Sequence, residues 1–88
     1  MPLNQSDLAE IRPFVLKSVS RTGGNPLPDR TLKSGLRIAY RHVPMTESEL
    51  DGIIKGLEAE GYLVGTTDPI TRSTLWGLTH KGTLAVDA

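Results

Sequence analysis

The sequence predicts one small α+β domain in which three helices lead into a two-stranded hairpin and a short last helix. Three observations point there. Thr46 and Glu49 have the spacing of a capping box, at the head of an apolar stripe (Leu50, Ile53, Ile54, Leu57) that recurs at helical intervals. Gly61 supplies a left-handed stop after that stripe, with Tyr62 placed for the hydrophobic contact that closes such an end. Two short runs, residues 62–66 and 74–78, then flank a turn-rich stretch at residues 67–73.

The first helix is expected over about residues 5–20, because Leu8, Ile11, Val15 and Val19 repeat at helical spacing and Phe14 and Leu16 widen the stripe. Asn4 or Ser6 can cap its start. Pro13 lacks an amide donor and crowds the preceding turn, so a kink or a fresh helix start is expected there. Residues 21–26 read as a loop. The second helix is expected over about residues 29–41, starting at Pro28 or Asp29, with Leu32, Leu36, Ala39 and Tyr40 as its apolar face and Val43 extending it. Gly35 inside it costs roughly 1 kcal/mol against alanine, which is expected where helices pack closely. Pro44 ends the run. The third helix runs from Thr46 to Glu60. Asp68 before Pro69 initiates the hairpin turn, and Leu75 and Trp76 alternate faces on the second strand. Trp76 is expected to pack at the base of the hairpin. Thr79 can cap a last short helix reaching about Val86, with Leu84 and Val86 packing back.

Composition narrows the function classes. Eighty-eight residues make one domain that buries roughly 60–65% of its unfolded surface. There is no cysteine, so disulfides, thiolate metal sites and cysteine nucleophiles are excluded. His42 and His80 are far apart in sequence and lack the carboxylate spacing of a zinc site. Gly23-Gly24 lacks the spacing of a phosphate loop, and no serine or threonine is arranged with a base. No cofactor and no enzymatic activity are expected. The N-terminus has no basic stretch before an apolar run, and no segment approaches the ~20 apolar residues of a membrane span, so a cytoplasmic protein without a membrane partner is expected. Net charge is zero but divided. Residues 1–42 carry seven basic groups against three acids, and residues 43–88 carry three against seven. Such a split suits an anionic partner on one face, or head-to-tail association into a homodimer; it is equally compatible with a solvated surface.

Leu57-Glu58-Ala59-Glu60-Gly61-Tyr62-Leu63 and, after the turn, Trp76-Gly77-Leu78-Thr79-His80-Lys81-Gly82 resemble the ending of many bacterial winged helix-turn-helix proteins. There an acidic helix end with glycine and tyrosine or leucine leads into the wing, and a leucine-threonine-x-lysine-glycine strand end leads into a final helix. Regulators of the multiple-antibiotic-resistance and PadR types carry this ending. Asp68-Pro69-Ile70-Thr71 is similar to the wing turn of small phage-type winged-helix proteins. The resemblance covers about residues 28–86. It implies a winged helix-turn-helix fold and a small bacterial or phage-type transcriptional regulator that binds double-stranded DNA. The same fold also serves protein interaction, so it specifies fold more than function.

In that fold the N-terminal half of the third helix faces the major groove. Its expected outward positions are Thr46, Glu47, Ser48, Glu49, Asp51, Gly52 and Lys55, of which three are acidic and one is basic. Acids near phosphates oppose binding that is driven by cations displacing counterions. First-turn acids also favour the helix dipole, and Glu49 belongs to the capping box. The cations lie elsewhere: Arg30, Lys33, Arg37 and Arg41 share one face of the second helix beside His42, and Arg72 sits in the hairpin turn. The DNA reading therefore assigns phosphate contacts to Arg30, Lys33, Arg37, Lys55 and Arg72, with Thr46 and Ser48 approaching the groove. The alternative is a protein-interaction module whose acidic third helix (Glu47, Glu49, Asp51, Glu58) meets a basic partner, or the basic second helix of another copy.

Overall fold

The computed structural model describes residues 5–23 and 25–87. Helix α1 (Gln5–Ser20) is followed by a short strand β1 (Leu27–Pro28), α2 (Asp29–Ala39), α3 (Glu47–Ala59), the hairpin β2 (Leu63–Thr67) and β3 (Thr74–Leu78), and α4 (His80–Asp87). The sheet is antiparallel in the order β1-β3-β2. The architecture is thus α+β, with four helices and a three-stranded sheet. The sequence reading missed β1. Two residues have no readable alternation, and Pro28 can join a ladder only at an edge, where its missing donor faces away.

The core is the set of apolar residues that the helical and strand spacings pick out. Ile11, Val15, Leu16 and Val19 of α1 meet Leu32, Leu36 and Tyr40, the α3 stripe Leu50, Ile53, Ile54 and Leu57, and Leu63 and Trp76 of the hairpin. The Tyr40 ring stands edge-on to Phe14 at 5.3 Å, and its hydroxyl donates to the Glu10 carbonyl. Burial, with the nearby Glu10 charge, raises the Tyr40 pKa. Pro13 does not start a new helix. It lies on the exposed side of a helix that runs unbroken through it, held by the buried residues on either side. Ser6 lies inside α1, while Asn4, the other expected cap, lies outside the described residues.

Three further expectations change. Ala39 is exposed rather than part of the α2 apolar face. Gly35 is not a close-packing position, because a Cβ there would meet nothing within 4 Å. Leu84 points outward at 56% exposure, and Val86 alone of the expected pair packs on the core.

The two ends of α3 form as their residues dictate. The Glu49 amide donates to the Thr46 hydroxyl and the Thr46 amide to the Glu49 carboxylate, at 3.1 and 3.0 Å. At the other end Gly61 takes φ 88°, and the Tyr62 and Gly61 amides donate to the carbonyls of Leu57 and Glu58, both at 3.0 Å. This is the full Schellman pattern. The segment after β3 is sewn to that stop. The Thr79 amide and hydroxyl donate to the Tyr62 carbonyl, and the Thr79 hydroxyl accepts from the Gly82 amide to cap α4. Lys81 Nζ donates to the Glu60 carbonyl and lies 4.6 Å from the centre of the Tyr62 ring. Gly82 is required by space, since a Cβ would lie 2.2 Å from the Tyr62 carbonyl oxygen. Glycine-tyrosine and threonine-x-lysine-glycine are therefore two halves of one junction that locks the hairpin between α3 and α4.

Candidate nucleic-acid interface

The seven residues that the DNA reading selects lie on α2, on α3 and its N-cap, and in the hairpin turn, and they fall into distinct environments. Lys33 is 6% exposed, the one charged residue that is buried among the described residues. Its ammonium touches three carboxylates: Asp29 one turn earlier at 2.9 Å, Glu47 at 2.9 Å and Asp51 at 2.5 Å. Burial alone would lower its pKa; the hydrogen bonds it donates to Asp51, Glu47 and Asp29 outweigh that and raise it. The charge of Lys33 is therefore engaged inside the fold. It does not belong to a solvated stripe, nor is it available as an outward phosphate contact, because its ammonium is held by carboxylates of α2 and α3.

Arg37 lies one turn further along α2 and pairs with Glu47 Oε2 at 2.7 Å. Glu47 thus bridges two cations, Lys33 through Oε1 and Arg37 through Oε2. Hydrogen bonds from Lys33 and then Arg37 hold its carboxyl below the usual range. The Asp29 carboxylate is fixed from the sheet side as well, accepting from the Trp76 indole Nε1 at 2.8 Å. A polar chain consequently runs from Trp76 on β3 through Asp29 and Lys33 on α2 to Glu47 and Asp51 on α3. Burial of Trp76 agrees with its expected packing role; its polar link to Asp29 was not foreseen. The spacings 29/33 and 47/51 each place two of these side chains on one helix face, and that signal was present in the sequence. The meeting of the two faces was not.

The remaining candidates are outward. Arg30, Lys55 and Arg72 are exposed and make no ion pair among the described residues. Ser48 and Gly52 are exposed on α3 at four-residue spacing, with Lys55 three further on. Thr46 is exposed, but its hydroxyl is engaged by the cap. Glu49 is half-buried rather than outward. Arg72 takes φ 60° in the hairpin turn, where its amide donates to the Asp68 carbonyl. The Asp68 carboxylate accepts from the Ile70 amide, and Ile70 at the tip is 89% exposed.

The division of charge along the sequence has a structural counterpart. Lys33–Glu47, Lys33–Asp51, Arg37–Glu47 and Arg12–Glu60 all join the basic first half to the acidic second half. Much of the opposite charge in the two halves is thus matched within one chain. Among the described residues no helix is long and apolar enough to cross a membrane. Comparison of the chain with protein-family models, with curated proteins and with solved structures finds no match in any of the three.

Proposed function

We propose that this chain is a winged helix-turn-helix domain that binds double-stranded DNA, acting as a small transcriptional regulator of bacterial or phage type. The observation that carries the reading is the state of the acids at the start of α3. Glu47 and Asp51 are paired to Lys33 and Arg37, so their charge near a phosphate backbone is offset in part, three carboxylates with Asp29 sharing the two cations. That weakens the electrostatic objection to α3 as the reading helix. The helix then offers Ser48, Gly52 and Lys55 outward, and a glycine in that row lets a partner backbone come close.

On this reading the phosphate contacts fall to Arg30, Lys55 and Arg72, cations without an intramolecular partner among the described residues, in place of Lys33. Ser48 approaches the groove, while Thr46 serves the cap. The hairpin is the wing, with Arg72 and Ile70 at its turn. The protein-interaction alternative is favoured by a different observation, the exposed apolar side chains Ile38 and Leu84 on separate helices.

The test is fluorescence anisotropy with a labelled mixed-sequence duplex, titrated at several salt concentrations, for the native chain and for Arg30→Ala, Lys55→Ala and Arg72→Ala. Each lost phosphate contact should reduce the slope of log affinity against log salt by about 0.9. Unchanged slopes in all three variants, or no binding at low salt, would turn the assignment towards a protein partner.

A further inference from the structure

The Glu47 carboxylate sits where a phosphate would. Its two oxygens go to two different cations, Oε1 to Lys33 Nζ at 2.9 Å and Oε2 to Arg37 at 2.7 Å. An unesterified phosphodiester oxygen would make to Arg37, the exposed one of the two cations, the contact that Oε2 makes. The base of this arrangement is buried and its rim is open. Lys33 is also held by Asp29 and Asp51, two partners that do not involve Glu47. The Glu47 and Arg37 side chains are 60% and 50% exposed, so water and solutes reach the pair. An exposed pair of this kind is held weakly and exchanges partners readily.

We propose that Glu47 is the resident occupant of a phosphate site on the α2–α3 face, and that it competes with a nucleic-acid phosphate for Arg37. The proposal rests on the DNA-binding reading and adds a residue that sets its affinity. In the free chain Arg37 is neutralised. On DNA a phosphate takes Arg37, and Glu47 swings outward or stays on Lys33 alone. The acid thereby sets affinity below what the cations of α2 would support. Sequence-independent attachment is held down, so contacts made by α3 contribute a larger share of the total.

Removing the carboxylate should free one phosphate contact. With a slope of about 0.9 per contact, one added contact at roughly 0.15 M salt corresponds to about fivefold in affinity. The experiment is anisotropy with a labelled 25-base-pair mixed-sequence duplex for the native chain, Glu47→Gln, Arg37→Ala and the double variant, each checked for folding by circular dichroism. Glu47→Ala replaces Glu47→Gln if the latter does not fold. Glu47→Gln is expected to bind about fivefold more tightly with a salt slope steeper by about 0.9, and the gain should fall below about twofold when Arg37 is also replaced. A native chain that binds while Glu47→Gln binds equally well overturns the competition and leaves the DNA reading standing. A gain that persists without Arg37 is a general effect of removing one negative charge and also overturns it. If neither the native chain nor Glu47→Gln binds at low salt, the DNA reading and this inference fail together.

Discussion

Replacing Lys33 with methionine keeps most of the buried stem and removes the charge, leaving Asp29, Glu47 and Asp51 facing one another without their cation. Breaking a fully buried ion pair by removing one partner costs about 3–5 kcal/mol. Here the cation is buried, but the carboxylates are 26%, 60% and 42% exposed, so they can partly return to water. That brings the expected cost down to about 2 kcal/mol, between the buried and the surface limits. In a domain of this size such a loss lowers Tm by roughly 8–16 °C. Thermal melts followed by circular dichroism measure it directly, and pH sharpens the test. Glu47 is held below the usual carboxylate range by its hydrogen bonds to Lys33 and Arg37. A depressed carboxylate contributes stability that is present above its unfolded pKa, about 4.3, and is lost as pH falls through the lower folded value. The difference between the native chain and Lys33→Met should therefore be full near neutrality and shrink below about pH 4. A cost under about 0.5 kcal/mol, or one that does not change with pH, would show that the three contacts contribute no net stability at α2–α3.

Two glycines give predictions of opposite sign. Gly35→Ala, at an exposed helical position where a Cβ meets nothing within 4 Å, should stabilise the fold by about 0.5–1 kcal/mol, read as a rise in the urea midpoint at unchanged slope. Gly82→Ala places a methyl group 2.2 Å from the Tyr62 carbonyl oxygen, a backbone atom that moves only if the hairpin junction moves. It should cost about 2–3 kcal/mol in the same denaturation; a neutral result would mean that the junction is looser than its hydrogen bonds indicate.

The sequence by itself determined the local elements, because their causes are local. The Thr46–Glu49 box, the Gly61 stop and the period of Leu50, Ile53, Ile54 and Leu57 involve residues within a turn or two of one another, and the structure forms all three. The hairpin was legible for the same reason, and the apolar stripes marked out most of the core. What was not legible depends on elements meeting. β1 exists only because β3 lies beside it. Gly35 and Leu84 looked like packing positions, and they face solvent because no element covers them. The largest change concerns charge. Arg30, Lys33, Arg37 and Arg41 form one cationic row when α2 is read alone, and Glu47 and Asp51 form an acidic patch when α3 is read alone. Only the placement of α3 beside α2 brings the ammonium of Lys33 within 2.9 Å of Glu47 and joins two apparent surfaces around one buried cation. Spacing along a chain fixes which side chains share a face. Which faces meet depends on how whole helices bury their apolar stripes together, and that is decided by the tertiary structure.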